Sequence, residues 1–305
     1  MHAALSFRYC SSPPFQEQTM VLSTAPRADR KAPRRLVHRT RGSSHGPITR
    51  LVSPGDLGEV LKPFIFLDRF EVAAGGEPPR FGMHPHSGIA TLTYLMAGQA
   101  AYEDTTGEQG ARGTLPTGGV EWMMAGGGVW HTGAPDTTER VLGFQLWVAM
   151  PPELELAEAH SVYLGPESVP QVGPARVLLG RYGGQESPIA APSNITYLGV
   201  HLKAGETWRY APLAGHTVAW AAVGEGALTA PAALATGDLA VFDDHAEAIV
   251  FTAHTDTAFV LGSCVPHPHE LFMGPYSVHT SEAALQRGQS GIRQRAQLLR
   301  QQGRL

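Results

Sequence analysis

Residue types able to do chemistry gather in Gly82-Met83-His84-Pro85-His86-Ser87-Gly88. In an extended strand, residues two apart face the same side, so His84 and His86 present their imidazoles to one point. Imidazole is a favoured ligand of Zn, Fe, Cu and Ni. The candidate third ligand is His131, at the end of Gly126-Gly127-Gly128-Val129-Trp130-His131. A β-barrel would bring it opposite the pair, because strands far apart in sequence line one interior. The expectation is one site for a divalent transition metal, held by His84, His86 and His131 with water in the open positions. Pro85 cannot donate to a ladder, so this strand should lie at a sheet edge. With 14 histidines in the chain, a second H-x-H pair exists at His267-Pro268-His269. No Gly-rich strand with a third histidine follows it, and it is set aside as a metal site.

The elements that must position these rings are strands. Leu92, Tyr94 and Met96 share a face over 90–96, and Phe144, Leu146, Val148 and Met150 do so over 143–150. The run 195–202 is a third strand. Shorter ones are predicted at 63–69, 99–104, 120–125, 129–133, 176–180, 206–210, 217–223, 237–242, 248–253 and 258–263. Apolar residues make up 43% and charged ones 16%, with 35 Gly and 24 Pro. That mix disfavours helical bundles and suits many short strands joined by turns. Thr93–Ala100 resembles Ala219–Gly226, and a Gly-led apolar strand follows each about twenty residues on, so the barrel is duplicated. In the second copy, Tyr210 and Pro212 occupy the places of the histidine pair, and the place of His131 falls near Ile249. Only the end reads as helix, capped by Ser281, over 281–287 and 291–301, with breaks at Gly288 and Gly291.

Residues 1–50 carry nine Lys+Arg and two Asp+Glu; the remaining 255 carry 14 and 25, a net charge of −11. A body of that sign repels phosphate and argues against direct nucleic-acid binding. Residues 1–35 are expected to be a disordered basic tail. Two cysteines, Cys10 and Cys264, cannot build a disulfide framework, which makes a cytoplasmic location the default. No run of 18 apolar residues exists to span a membrane.

The segments Leu61–Phe70, His84–Gly88, Tyr94–Gly98, Glu121–His131 and Gln145–Val148 resemble the pirin family of the cupin superfamily. Phe272–Val278 is similar to that family's closing segment. The resemblance runs in order over about residues 40–300. It implies an all-β fold of two cupin-type (jelly-roll) β-barrels in tandem with a short C-terminal helical segment. The expected domains are an N-terminal barrel with the metal at 36–165, a metal-free barrel at 175–280 and a helix at 281–305. The resemblance also implies a metal-dependent dioxygenase acting on a flavonol-like, quercetin-type substrate, with iron first among the metals and Cu, Ni, Zn, Co or Mn as alternatives. A small aromatic molecule and O2 would be its ligands. Two alternatives stand beside it: a metal- or redox-responsive binding protein with a protein partner, of the transcriptional-cofactor type, and a cupin scaffold with a degraded site.

The chain departs from the family at its carboxylates. The family's fourth ligand, a Glu two residues after the third His, is Gly133 here, and a second cupin carboxylate position is Ala90. No acidic neighbour is therefore expected on these strands. Glu103, Asp104, Asp136 and Glu139, near turns, are the carboxylates within possible reach. No residue is singled out as catalytic. Trp122 and Met123 are assigned to the core, Trp130 faces away from the metal, and Cys264 is inert.

Overall fold

The computed structural model describes residues 34–77, 82–107, 110–192 and 194–305. Cys10 and the expected basic tail up to residue 33 lie outside these. Among the described residues the regular structure is mostly strand, with one long helix at the end.

Each half pairs one large antiparallel sheet with a four-stranded one. The large N-terminal sheet runs in the order His160–Leu164, Val120–Met124, Ile89–Ala97, Val141–Ala149, Phe64–Val72, Ile48–Val52, Ser43–His45. Its small partner runs His84–His86, Val129–Pro135, Ala100–Asp104, Ala111–Leu115. The second half repeats the small order with Thr207–Tyr210, Ile249–Ala253, Ala227–Thr229 and Ala233–Ala235. The two large sheets pack through a shared core: Leu92, Tyr94, Trp122, Phe144 and Leu146 meet Leu178, Tyr197 and Trp220 in one cluster. Side-chain alternation explains this. Leu92, Tyr94 and Met96 enter that core, while Thr91, Thr93 and Leu95 turn to the opposite face. Burying each large side chain there contributes roughly 1.5–3 kcal/mol.

Three expectations change. Leu36–Thr40 pairs with Leu239–Phe242, so this strand edges the C-terminal sheet and does not open the N-terminal barrel. Arg34 and Arg35, assigned to the tail, are bound: Arg34 is buried and its Nε donates to the Asp243 carbonyl at 2.7 Å, and Arg35 Nε reaches the Asp243 carboxylate at 3.0 Å. Arg39 and Arg41 pair with Asp238. Much of the basic run therefore neutralises buried aspartates. The expected break in the terminal helix is also absent, since Glu282–Gln301 is continuous, with Ser281 Oγ accepting from the Ala284 N–H. Its glycines are packing notches: a Cβ on Gly288 would sit 2.4 Å from His279 Nε2, and one on Gly291 would sit 2.0 Å from the Gly127 carbonyl.

Candidate metal centre

The edge strand His84–His86 pairs antiparallel with Val129–Pro135, His131 opposite His84 and Val129 opposite His86. Directly opposed residues share a face. The register thus aims all three rings into the space between the two N-terminal sheets. Their centroids lie 4.4 Å apart for His84 and His131, 5.0 Å for His86 and His131, and 5.1 Å for His84 and His86. One nitrogen from each ring lies within 4.8 Å of the others. Two nitrogens each bound at about 2.1 Å stand at most about 4.2 Å apart, so small ring rotations close the site on an ion.

The surroundings select the nitrogen. His84 Nδ1 faces the Gly82 carbonyl at 2.9 Å, and His86 Nδ1 faces the Tyr276 carbonyl at 3.0 Å. A carbonyl only accepts, so both Nδ1 atoms carry the proton and both Nε2 lone pairs are free to coordinate. His131 Nε2 is buried and has no hydrogen-bond partner. An orphaned buried nitrogen of this kind is costly unless something binds it. Burial, reinforced by His131, pushes His84 down to about 4 and His86 well below its ordinary value. Both are therefore neutral at neutral pH, the form that binds metal. This donor set fits a divalent transition ion.

The space beside the rings is a cavity of about 570 Å³. One wall is aromatic: Trp147 lies 4.9 Å from the His86 ring and stacks on Phe66 at 4.1 Å, and the Arg50 guanidinium covers the far side of Phe66 at 3.9 Å. Tyr102 lines another side and stacks on Tyr163. An acidic group is present after all. Glu121, on Val120–Met124, lines the cavity with Oε1 3.9 Å from His131 Nδ1. Its other oxygen accepts from Thr93 Oγ1 at 2.6 Å. Contrary to the expectation drawn from Gly133 and Ala90, a carboxylate thus stands behind the third histidine. The sequence held a signal for it: Glu121 is the one charged residue in a five-residue strand buried throughout, and a buried carboxylate needs a partner.

The C-terminal hairpin Phe272–Gly274/Ser277–His279 is strapped onto the site. Ser87 Oγ donates to Ser277 Oγ at 2.9 Å and lies 3.0 Å from His279 Nε2, while His279 Nδ1 lies 3.2 Å from Glu155 Oε2. Ser, His and Glu in this order resemble a hydrolytic triad, but Ser87 is wholly buried beneath Gly288 and no substrate reaches it. The chain instead anchors the hairpin whose Tyr276 carbonyl orients His86. Tyr276 sits at the turn with φ of 59°, in the left-handed region.

A pirin family model matches residues 47–148, the segment that carries all three histidines and Glu121. A Pseudomonas aeruginosa protein provisionally named quercetin 2,3-dioxygenase is 32% identical over 256 residues, covering 77% of this chain and 86% of that protein. The chain belongs to the pirin family of the cupin superfamily. This pirin superimposes on a quercetin 2,3-dioxygenase structure from Acinetobacter baumannii with a TM-score of 0.76 and 23% identity, over 85% of this chain and 96% of that one. It also superimposes on an Escherichia coli bacterial pirin in complex with nickel(II), with a TM-score of 0.57 and 21% identity, over 74% and 95%. These likenesses establish the all-β, cupin-type architecture with its C-terminal helix.

In this pirin, Gly133 lines the cavity and a Cβ there would touch only the Ala101 carbonyl, at 3.7 Å. Ala90 lies in the core between the large sheets. None of the four turn carboxylates lines the cavity. Glu103 pairs with Arg304 at 2.7 Å, Asp104 accepts from Thr106 and Tyr163, Asp136 accepts from the Thr138 N–H, and Glu139 is exposed. Trp122 and Met123 are buried core, and Trp130 Nε1 donates to the Ile292 carbonyl of the helix, away from the site. The rings of His267 and His269 meet edge to face at 5.0 Å, Lys62 donates to the His269 carbonyl, and among the described residues the pair gathers no third ligand. Burial pushes the Cys264 thiol up, which leaves it unreactive.

Proposed function

We propose that this pirin is a metal-dependent oxygenase of flavonol-like aromatic molecules, with His84, His86 and His131 holding the ion. The observation that carries the reading is the convergence of three imidazoles at the end of an aromatic-walled cavity, one of them with an orphaned nitrogen. When bound, the ion supplies the Lewis acidity and redox capacity that imidazoles lack. The chain's own residues do the rest. Trp147, Phe66 and Tyr102 bed a planar ring and exclude water. The Gly82 and Tyr276 carbonyls hold the protons on Nδ1 of His84 and His86. Glu121, kept in place by Thr93, presents a negative charge to His131 and makes its ring a stronger donor. The names of the Pseudomonas and Acinetobacter proteins support the substrate class, and the nickel complex of the Escherichia coli pirin supports metal capacity. Iron leads among the metals in this reading, with Cu, Ni, Zn, Co and Mn as alternatives.

The test is oxygen uptake with quercetin, using protein reconstituted separately with Fe, Cu, Ni, Co and Mn. Consumption that matches quercetin loss with at least one ion, and that disappears in His131→Ala, is the expected result. Inactivity with every ion despite bound metal would overturn the enzyme reading. A second reading, a binding protein whose partner senses the metal state, draws on Gly133 and on Met273 and Tyr276, both exposed on the hairpin that touches His86. Among the described residues, no helix is long and apolar enough to cross a membrane.

A further inference from the structure

The cavity floor carries a polar row of which the metal site uses only one end, Glu121 and Thr93. Across the large N-terminal sheet, Glu121 pairs with Thr93, Thr93 with Gln145, Gln145 with Asp68, and Asp68 with Arg50. Each comes from a different strand, and all five line the cavity. A continuous polar file across a sheet whose other face is a hydrophobic core calls for a reason. Its ends are satisfied: Thr93 donates to Glu121 at 2.6 Å, and Arg50 Nε and Nη2 donate to Asp68 at 2.5 and 3.2 Å. Gln145, in the middle, makes no side-chain hydrogen bond to the protein among the described residues. The neighbouring positions on either side are apolar, with the stacked pair Trp147 and Phe66 next to it and Phe70 beyond. The comparable row of the other half is closed on itself, since Ser263 meets Tyr210 and His216, and Thr196 donates to the Arg181 carbonyl.

Strands lie about 4.8 Å apart, so Gln145 stands roughly 10 Å from Glu121 along the row, and Asp68 roughly 14 Å. We propose that Gln145, flanked by Thr93 and Asp68, is a distal subsite that reads hydroxyl groups on the outer ring of an elongated phenol whose other end lies at the three histidines. This rests on the oxygenase reading and names the part of the substrate that the far end of the cavity selects. The amide both donates and accepts, which suits a hydroxyl. Arg50 neutralises Asp68, which removes the attraction for a cationic ligand. The Trp147–Phe66 stack supplies the apolar bed for the ring.

Calorimetric titration of metal-loaded protein with two flavonols tests this: quercetin, and 3,5,7-trihydroxyflavone, which lacks the outer-ring hydroxyls. Wild type should bind quercetin about tenfold more tightly, the worth of one well-made hydrogen bond. Gln145→Leu should bring the ratio close to one, leaving metal content and affinity for 3,5,7-trihydroxyflavone unchanged. Gln145→Ala provides a second variant, and neither breaks a protein hydrogen bond. Equal affinities in wild type, or a ratio that survives both substitutions, would overturn the subsite and leave the oxygenase reading standing. Failure of both flavonols to bind metal-loaded wild type would overturn the two together.

Discussion

In the N-terminal half, His84 lies opposite His131 and His86 opposite Val129; in the C-terminal half, Trp208 lies opposite Phe251 and Tyr210 opposite Ile249. The strand orders of the two small sheets match, so Trp208, Tyr210 and Phe251 stand at the places of the three histidines. There the interior is filled: Trp208 packs 5.7 Å from Phe251, which stacks on Phe259 at 4.9 Å. The same frame thus holds either a cavity or a core, and side-chain chemistry alone decides which. Aromatic rings fill the space and stabilise the fold. Imidazoles leave it open, and one of them, His131, carries a buried nitrogen with no hydrogen-bond partner.

The largest expected effect contrasts equivalent positions. Phe251→Ala should cost about 3–5 kcal/mol of stability, as truncation of a packed aromatic does, read from denaturant unfolding. His131→Ala should change metal-free stability by no more than about 1 kcal/mol, because it borders a cavity and removes a buried orphan. Similar large losses in both variants would erase the contrast. Next, Glu121→Gln should weaken metal binding about 10–100-fold in competition titrations, with Tm nearly unchanged, as removal of a carboxylate behind a ligand does. Undiminished affinity would mean that Glu121 does not act through His131. Gly133→Glu should work the other way, tightening binding about tenfold by adding a donor where a Cβ fits. No change would show that position 133 does not face the ion.

A smaller effect concerns the C-terminal half and pH. Burial would raise Asp238, but hydrogen bonds from Arg39, the Ala235 N–H and Arg41 outweigh it and hold the carboxyl below its ordinary range. A carboxyl depressed in the folded state contributes stability above the unfolded pKa of about 3.9, and that contribution is lost as pH falls through the lower folded value. Wild type should therefore lose stability relative to Asp238→Asn on acidification from pH 5 to pH 2. A constant difference over that window would show that the Arg39 and Arg41 contacts carry no such linkage.

Much of the scaffold was legible because alternation is a local property. Each strand predicted from 63–69 to 258–263 has a counterpart in the structure, and 195–202 matches Ile195–Leu202 end to end. The shared aim of His84 and His86 was legible for the same reason, since H-x-H in a strand sets its own geometry. Register was not. Glu121 enters the site only because Val120–Met124 pairs so that Thr93 lies opposite it, a pairing between residues 28 apart in the chain. The echo of the histidines in the second half was placed two residues late, at Tyr210 and Pro212, where the structure has Trp208 and Tyr210. Gly288 and Gly291 suggested helix breaks, and their role becomes visible only once His279 and the Gly127 carbonyl are packed against them.

Equilibrium dialysis of metal-free protein against nickel(II), followed by metal analysis, tests the centre most directly. A three-histidine centre should take up one ion per chain in wild type and none in the variant with His84, His86 and His131 all replaced by alanine. Retention of the ion by that variant, or near-zero metal in both proteins, would contradict it.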